Sequence, residues 1–383
     1  MRVSQLASKC WHLLREGADY RVDRHPIIEG PGQASCNTFE PMRRYERIIE
    51  LLAKDPQRYF EEISPPNILP IEVIQRPFST LIKCRVTTIQ RSFCIYIKFT
   101  HIKKDSIEYH ARIIKRMKND FEITTRIYDT LKENDSYSVP KIIAFFPEEM
   151  AIITEESDGK TLLSLLRQKG KGYPKQSAID ELEQYCHALG GWLQTFQNLT
   201  RITSSQSWDE AEFINYINLR LSKLEKSRLC IRQEDTYHIQ RYLEQLLQQA
   251  TEDKTFLCGV HGDIGLSNVL VSSKKITVLD FPMYKIGFFY DDLTYIFMRI
   301  EYLLFNPLFM KYVINKLQNA FLEGYENGFD RKNPLFRAYC MKHRINRLVD
   351  LSKIDNLSII KKIYQTQQFK NFLHNINRNT EIQ

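Results

Sequence analysis

The sequence of 383 residues has no uninterrupted apolar run of the ~18–20 residues that a membrane-spanning helix requires. The nearest approach, residues 295 to 310, is broken by Arg299 and Glu301. The first twenty residues carry charges and lack an apolar centre, so no secretory signal is expected. Eight cysteines are present, but no two have metal-ligand or redox-motif spacing. Reduced thiols in a cytoplasmic protein follow from that usage. There is no dense basic tract either. The net charge of +8 is spread along the chain without aromatic–basic alternation, so solvated faces are expected and no nucleic-acid partner. Internal repeats and low-complexity tracts are also missing.

What is present divides into three parts. Residues 1–75 read as an N-terminal helical extension. Ile48, Ile49, Leu51 and Leu52 recur at helical spacing, and Ser64-Pro65-Pro66-Asn67 with Pro70 marks a boundary. Residues 76–156 read as β-β-α-β-β, an antiparallel sheet with one helix. Phe78 to Thr87 and Ser92 to Phe99 are the first two strands, and a helix from about Asp105 to Lys132 follows. Lys141 to Phe146 and Met150 to Glu155 complete the set. Residues 157–383 read as mainly helical. Gly190-Gly191 inside the helix Ser177 to Leu199 costs helix propensity, which points to close packing there. The fold class is therefore α+β, with a small antiparallel β lobe and a large mainly helical lobe.

Among the later helices one stretch stands out. It runs from Val260-His261-Gly262-Asp263 through Asn268-Val269-Leu270-Val271 to Ile276-Thr277-Val278-Leu279-Asp280-Phe281. Two short strands joined by a turn place Asn268 at the hairpin's entry and Asp280 at its exit, at the same end. Asp263 leads into that end. Two carboxylates and an amide converge, which suits a divalent cation beside a general base. In the second β-strand Lys98 admits two readings, an exposed lysine on a half-buried strand or an ammonium that holds phosphate oxygens. Glu122 borders the apolar face of the long helix. It is either a surface acid or a partner that fixes Lys98.

With these residues in view, the chain resembles the aminoglycoside phosphotransferase and choline kinase group of the protein-kinase-like fold. The family pattern H-G-D-x-x-x-x-N, then a strand ending in Asp before an aromatic residue, is matched by His261-Gly262-Asp263, Asn268 and Asp280-Phe281. Asp292-Leu293-Thr294 resembles its D-L-A segment, and Phe321-Leu322-Glu323-Gly324-Tyr325 its F-x-x-G-Y segment. Leu189-Gly190-Gly191-Trp192-Leu193 is similar to its helix before the catalytic loop, with Gln197 where histidine is common. The resemblance spans residues 76 to 350. It implies a nucleotide-binding N-lobe at 76–156 and a C-lobe at 157–383 that carries the catalytic loop and acceptor site. It also implies ATP- and Mg²⁺-dependent phosphorylation of a hydroxyl on a small molecule, such as a sugar or other saccharide. Asp263 would be the base, and Asn268 and Asp280 the metal ligands. Lys98 held by Glu122 would bind phosphates, and Thr154, Glu155, Glu156 and Ser157 would bind adenine. His261 would brace the loop. Asp292 would be structural, its carboxylate stabilised by free N–H groups at a helix start.

The match has departures. Thr87 to Arg91 contains no glycine, Gly265 stands where the family usually has histidine, and Pro282 follows Asp280-Phe281, so no glycine-hinged activation segment is expected. Asp291, Asp292, Glu301, Glu323, Glu326 and Asp330 would suit a cationic acceptor. The basic run Arg331, Lys332, Arg337, Lys342, His343, Arg344 and Arg347 favours a neutral or anionic one, or is a solvated helix face. A catalytically silent relative that binds nucleotide or a protein partner is the alternative reading.

Overall fold

The computed structural model describes residues 24–25, 39–102, 106–202, 209–227, 231–250, 256–273, 275–326 and 328–352. Most of residues 1–38 of the expected N-terminal extension, and the stretch after Ser352, lie outside them. The chain divides into two compact units, Met1–Tyr128 with Pro140–Ser157 and Asp129–Val139 with Asp158–Gln383.

The first unit is built on an antiparallel sheet. Its elements are β1 (Arg24–His25), α1 (Phe39–Lys54), α2 (Pro56–Phe60), β2 (Asn67–Gln75), β3 (Ser79–Thr87), β4 (Ser92–Thr100) and α3 (Ile107–Leu131). After β5 (Tyr137–Ser138), which belongs to the second unit, β6 (Ile142–Phe146) and β7 (Ala151–Glu155) complete the sheet in the order β1-β2-β3-β4-β7-β6. The boundary expected near Pro70 is not an end of structure. Asn67–Gln75 is a strand paired with β3, and Pro70 sits at an irregularity in that ladder, where a missing N–H is tolerated. Residues 39–75 are thus part of the sheet unit rather than a separate helical extension. The cause is burial. Tyr45, Ile48 and Leu52 of α1, Phe60 of α2 and Ile68 of β2 share one apolar cluster with Ile82, Cys84, Val86, Ile95, Ile97 and Phe99. Each large apolar side chain removed from water contributes roughly 1.5–3 kcal/mol, which outweighs a proline-rich junction. Strict alternation along β4 puts Ile95, Ile97 and Phe99 into that cluster and leaves Cys94, Tyr96 and Lys98 on the other face.

The second unit is mainly helical. It contains β8 (Lys160–Thr161), α4 (Leu162–Lys169), α5 (Gln176–Leu199), α6 (Glu210–Glu225), α7 (Gln233–Gln248), β9 (Leu257–Val260), β10 (Val269–Val271), β11 (Ile276–Val278) and β12 (Lys285–Phe288). The helices α8 (Tyr290–Glu301), α9 (Lys311–Tyr325) and α10 (Pro334–Ser352) follow. The strands make two small sheets, β5-β11-β10-β8 and β12-β9. Helix α5 is the spine. Trp192 and Phe196 on its buried face stack with ring centroids 5.2 Å apart. The paired glycines explain themselves here. A Cβ on Gly190 would run into the Phe321 carbonyl of α9, and one on Gly324 of α9 into the His187 carbonyl of α5, so the two helices meet backbone to backbone. Among the described residues, no helix is long and apolar enough to cross a membrane.

Candidate active site

The loop between β9 and β10 is held from beneath by the side chains of His261 and Asp292. His261 is fully buried, and burial lowers its pKa to about 4, so the ring is neutral. Its Nε2 lies 3.0 Å from the Leu279 carbonyl and its Nδ1 accepts from the Asp263 N–H at 3.3 Å. Together these fix the Nε2–H tautomer and tie the loop to the residue before Asp280. Asp292, also buried, accepts the backbone N–H groups of His261 at 2.6 Å and Gly262 at 3.1 Å. It serves the loop across the unit, where the sequence had suggested N–H groups at the start of its own helix. Gly262 has φ +80° and a Cβ there would lie 2.8 Å from the Met283 carbonyl, so only glycine fits the turn.

Onto this support the hairpin brings its polar residues. β10 and β11 pair with Val269 opposite Val278, and Leu279 donates its N–H to the Asn268 carbonyl at 2.8 Å. Asn268 and Asp280 therefore flank the same end of the hairpin. The Asn268 amide nitrogen donates to the Asp263 carbonyl at 3.1 Å, which turns its oxygen away from that carbonyl. Asp280 has φ +64°, a left-handed conformation that aspartate tolerates better than most residues. The next side chain, Phe281, holds it there. That ring is fully buried, 4.4 Å from the His261 ring and 5.8 Å from the Phe196 ring, centroid to centroid. Strain retained at such a point is typical of functional positions.

Asp263 stands at the mouth of this arrangement. Crowding by neighbouring groups strips water from its carboxylate and raises its pKa. The Tyr295 hydroxyl, which donates to Oδ1 at 3.0 Å, and the Arg299 guanidinium pull it back, and the charge of Asp280 adds to the rise. Among the described residues no group of three or more His, Cys, Asp or Glu is gathered to hold a metal. The Asn268 amide and Asp280 carboxylate are hard oxygen donors of the kind Mg²⁺ takes when phosphate oxygens and water complete its shell.

Beside the loop lies a recess of about 810 Å³, lined by residues that include Gly262, Tyr295, Arg299, Tyr302, Tyr339 and Arg347. Tyr295 and Arg299 were not evident as site residues from the sequence. They sit one turn apart on α8, and the Arg299 guanidinium lies over Gly265, 3.7 Å from where a Cβ would be.

In the first unit, Lys98 pairs with Asp120 of α3, Nζ to Oδ2 at 3.8 Å. Glu122, expected to be that partner, has a side chain 58% exposed and pairs with Lys118 on its own helix. The reason is helical phase. Ile113, Met117, Asp120, Thr124, Ile127 and Leu131 form the buried stripe of α3, and Glu122 is off it. Counting back seven residues from Ile127 gives Asp120, a signal the sequence did contain. At the end of β7, the N–H of Glu155 donates to the Lys141 carbonyl and that of Glu156 to the Cys94 carbonyl. The Glu156 carboxylate meets Lys83 at 2.6 Å, and Glu155 meets Arg91 at 3.2 Å. Thr154 lies opposite Tyr96 in the sheet, and Ser157 closes the unit.

An antiparallel β unit, a mainly helical unit, and a braced loop with an oxygen-donor hairpin are the make-up of a small-molecule kinase. The model of the phosphotransferase enzyme family matches residues 102–334, and the chain belongs to that family. It is an enzyme that passes a phosphoryl group from ATP to a hydroxyl of a small molecule. No curated protein sequence matches it. Among solved structures it is similar to a choline kinase from Streptococcus pneumoniae, at 12% identity and a TM-score of 0.49, over 87% of this chain and 99% of that one. It is similar to a choline kinase from Cryptosporidium parvum at 15% identity and a TM-score of 0.48, over 88% and 96%. It is also similar to an aminoglycoside phosphotransferase with ADP bound, at 16% identity and a TM-score of 0.45, over 85% and 96%.

Proposed function

We propose that Asp263 takes the proton of the acceptor hydroxyl as the phosphoryl group is transferred, and that the acceptor is a sugar or similar saccharide held in the recess beside it. The observation that carries this is the meeting of Asp263, Asn268 and Asp280 at one end of the hairpin, with Asn268 bonded to the Asp263 backbone. Phosphoryl transfer asks little covalent chemistry of the protein. It asks for an oriented hydroxyl and for groups that offset charge. A base with a raised pKa suits the first need, since it holds the incoming proton more readily than an ordinary carboxylate. Asn268 and Asp280 are the residues to hold Mg²⁺, whose charge would offset that of the nucleotide phosphates. Lys98, fixed by Asp120, is assigned to the phosphates of ATP, and Thr154, Glu155, Glu156 and Ser157 to the adenine. Glu155 and Glu156 already spend their N–H groups on neighbouring carbonyls, so their contribution is through other atoms.

The saccharide reading is supported by the presence of Tyr295, Tyr302 and Tyr339 in the recess wall, aromatic residues of the kind that meet a ring apolar on one face and hydroxylated at its rim. A phosphorylation screen across sugars, amino alcohols and aminoglycosides tests it. Transfer to amino alcohols alone would remove the saccharide assignment.

A further inference from the structure

One cation in the recess is both paired and caged. Lys342 of α10 extends its ammonium to Asp291 Oδ1 in the first turn of α8, and both side chains are only 14% exposed. The same nitrogen lies over three rings. It is 4.8 Å from the Tyr339 centroid, 5.5 Å from that of Tyr216 and 5.8 Å from that of Phe213. The cage is built from three helices, with Phe213 and Tyr216 on α6, Tyr339 on α10 and Asp291 on α8. Its walls are held in place. The Phe213 and Tyr339 rings pack with centroids 4.8 Å apart, and the Tyr216 hydroxyl donates to Asn346 Oδ1 at 2.9 Å. Arg220 also lies over the Tyr216 ring, at 6.0 Å. The four cage residues and Lys342 itself all line the recess, as does Gly262 of the loop that carries Asp263. An ion pair alone requires only the carboxylate. Ring faces and a carboxylate gathered about one point are the groups that bind an alkylammonium ion, because each face presents the negative side of its quadrupole. The chain's own ammonium stands where such a ligand would.

We propose that Lys342 is the resident cation of an ammonium-binding cage in the recess, and that it determines specificity by barring cationic acceptors. An ammonium compound entering the recess would meet the like charge of Lys342 and find the rings and the Asp291 carboxylate occupied. A hydroxyl compound without an ammonium group meets no such conflict. The proposal rests on the acceptor role given to the recess above and deepens it. Two of the acids that would have suited a cationic acceptor are engaged by the chain itself, Asp291 by Lys342 and Asp292 by the His261 and Gly262 N–H groups.

The test is a ligand-detected NMR titration of the full chain with tetramethylammonium, and with tert-butanol as an uncharged probe of similar size. Lys342→Ala empties the cage and leaves Asp291 with Lys285, which reaches its other oxygen at 3.9 Å. This variant is expected to bind tetramethylammonium about tenfold or more tightly than the parent does, and about tenfold or more tightly than it binds tert-butanol. Adding Asp291→Asn is expected to remove most of that gain. Lys342→Arg, which keeps a cation, is expected to behave as the parent. Urea midpoints show whether the alanine variant folds; where it does not, Lys342→Gln, which keeps a donor for Asp291, takes its place. A measurement on the parent depends on no neutral variant. The Lys342 ε-methylene protons, assigned by comparison with Lys342→Arg, are expected upfield of those of exposed lysines because three ring faces surround them. An ordinary lysine shift, equal tetramethylammonium binding by parent and neutral variant, or no preference for the cation over tert-butanol overturns the proposal. If the neutral variant binds tetramethylammonium but its phosphoryl transfer to the acceptor found by screening is unchanged with the cage filled, the acceptor role of the recess falls. The specificity role of Lys342 falls with it, and the cage and its resident lysine stand.

Discussion

Asp292 accepts the His261 backbone N–H at 2.6 Å, although the two residues lie 31 positions apart. The first turn of α8 thereby holds the loop that carries Asp263. The carboxylate, with its second bond to the Gly262 N–H, has no exposed function. Replacing it with alanine would leave the buried His261 N–H unpaired, at about 1–3 kcal/mol, and would also cost the Gly262 bond. Asp292→Ala is expected to lower the urea midpoint clearly, while Asp292→Asn, whose amide keeps one acceptor, loses less. Equal stability of the alanine variant and the parent would contradict the brace.

The pairing of Lys98 with Asp120 gives a second test. Asp120→Asn removes the charge that fixes Lys98 and is expected to raise KM for ATP several-fold. Glu122→Gln alters an exposed pair worth about 0.5 kcal/mol or less and is expected to leave KM near the parent value. Steady-state kinetics at varied ATP distinguishes the two.

The proposed role of Asp263 makes Tyr295 a test of the pH profile. The Asp263 pKa is raised, so a base at this position would be protonated and inactive at a higher pH than an ordinary carboxylate. The Tyr295 hydroxyl opposes that rise. Tyr295→Phe is therefore expected to shift the acid limb of kcat/KM to still higher pH, while a shift to lower pH would be the wrong sign.

Two histidines in the second unit tie stability to pH. His261 and His343 are each held down at about 4 by burial, while an unfolded histidine titrates near 6.5. The unfolded chain thus binds the extra protons between these values. Their contribution is complete above about 6.5 and is lost as pH falls toward 4. His343→Gln, which keeps a donor for the Asp291 carbonyl, is expected to narrow the difference in urea midpoint between pH 7 and pH 5.

Much of this fold was legible in the sequence because it follows local period. The strand at Ser92–Thr100, the helix at Ile107–Leu131 and the hairpin around Asn268 and Asp280 were all readable from apolar spacing and turn residues. The Gly190-Gly191 contact was readable in kind, since glycine inside a helix signals a close neighbour, but its partner Gly324 was not. What escaped reading depends on distant packing. The strand Asn67–Gln75 looked like a junction because Pro70 interrupts it, and pairing with β3 and β1 makes it a strand. Asp120 passed unnoticed because a charged residue on a buried stripe reads as an error in the pattern rather than as a partner for Lys98. Tyr295 and Arg299 carried no motif at all. Their importance comes from where α8 lies against the loop.

The central claim is that Asp263 is the base, and phosphoryl transfer by Asp263→Asn tests it most directly, measured alongside Mg-ATP binding to the same variant. The change keeps the side chain's size and its bond from Tyr295 but removes the proton acceptor. The expected result is transfer to the identified acceptor reduced by about a hundred- to ten-thousand-fold with Mg-ATP affinity retained. Transfer near the parent rate would contradict it.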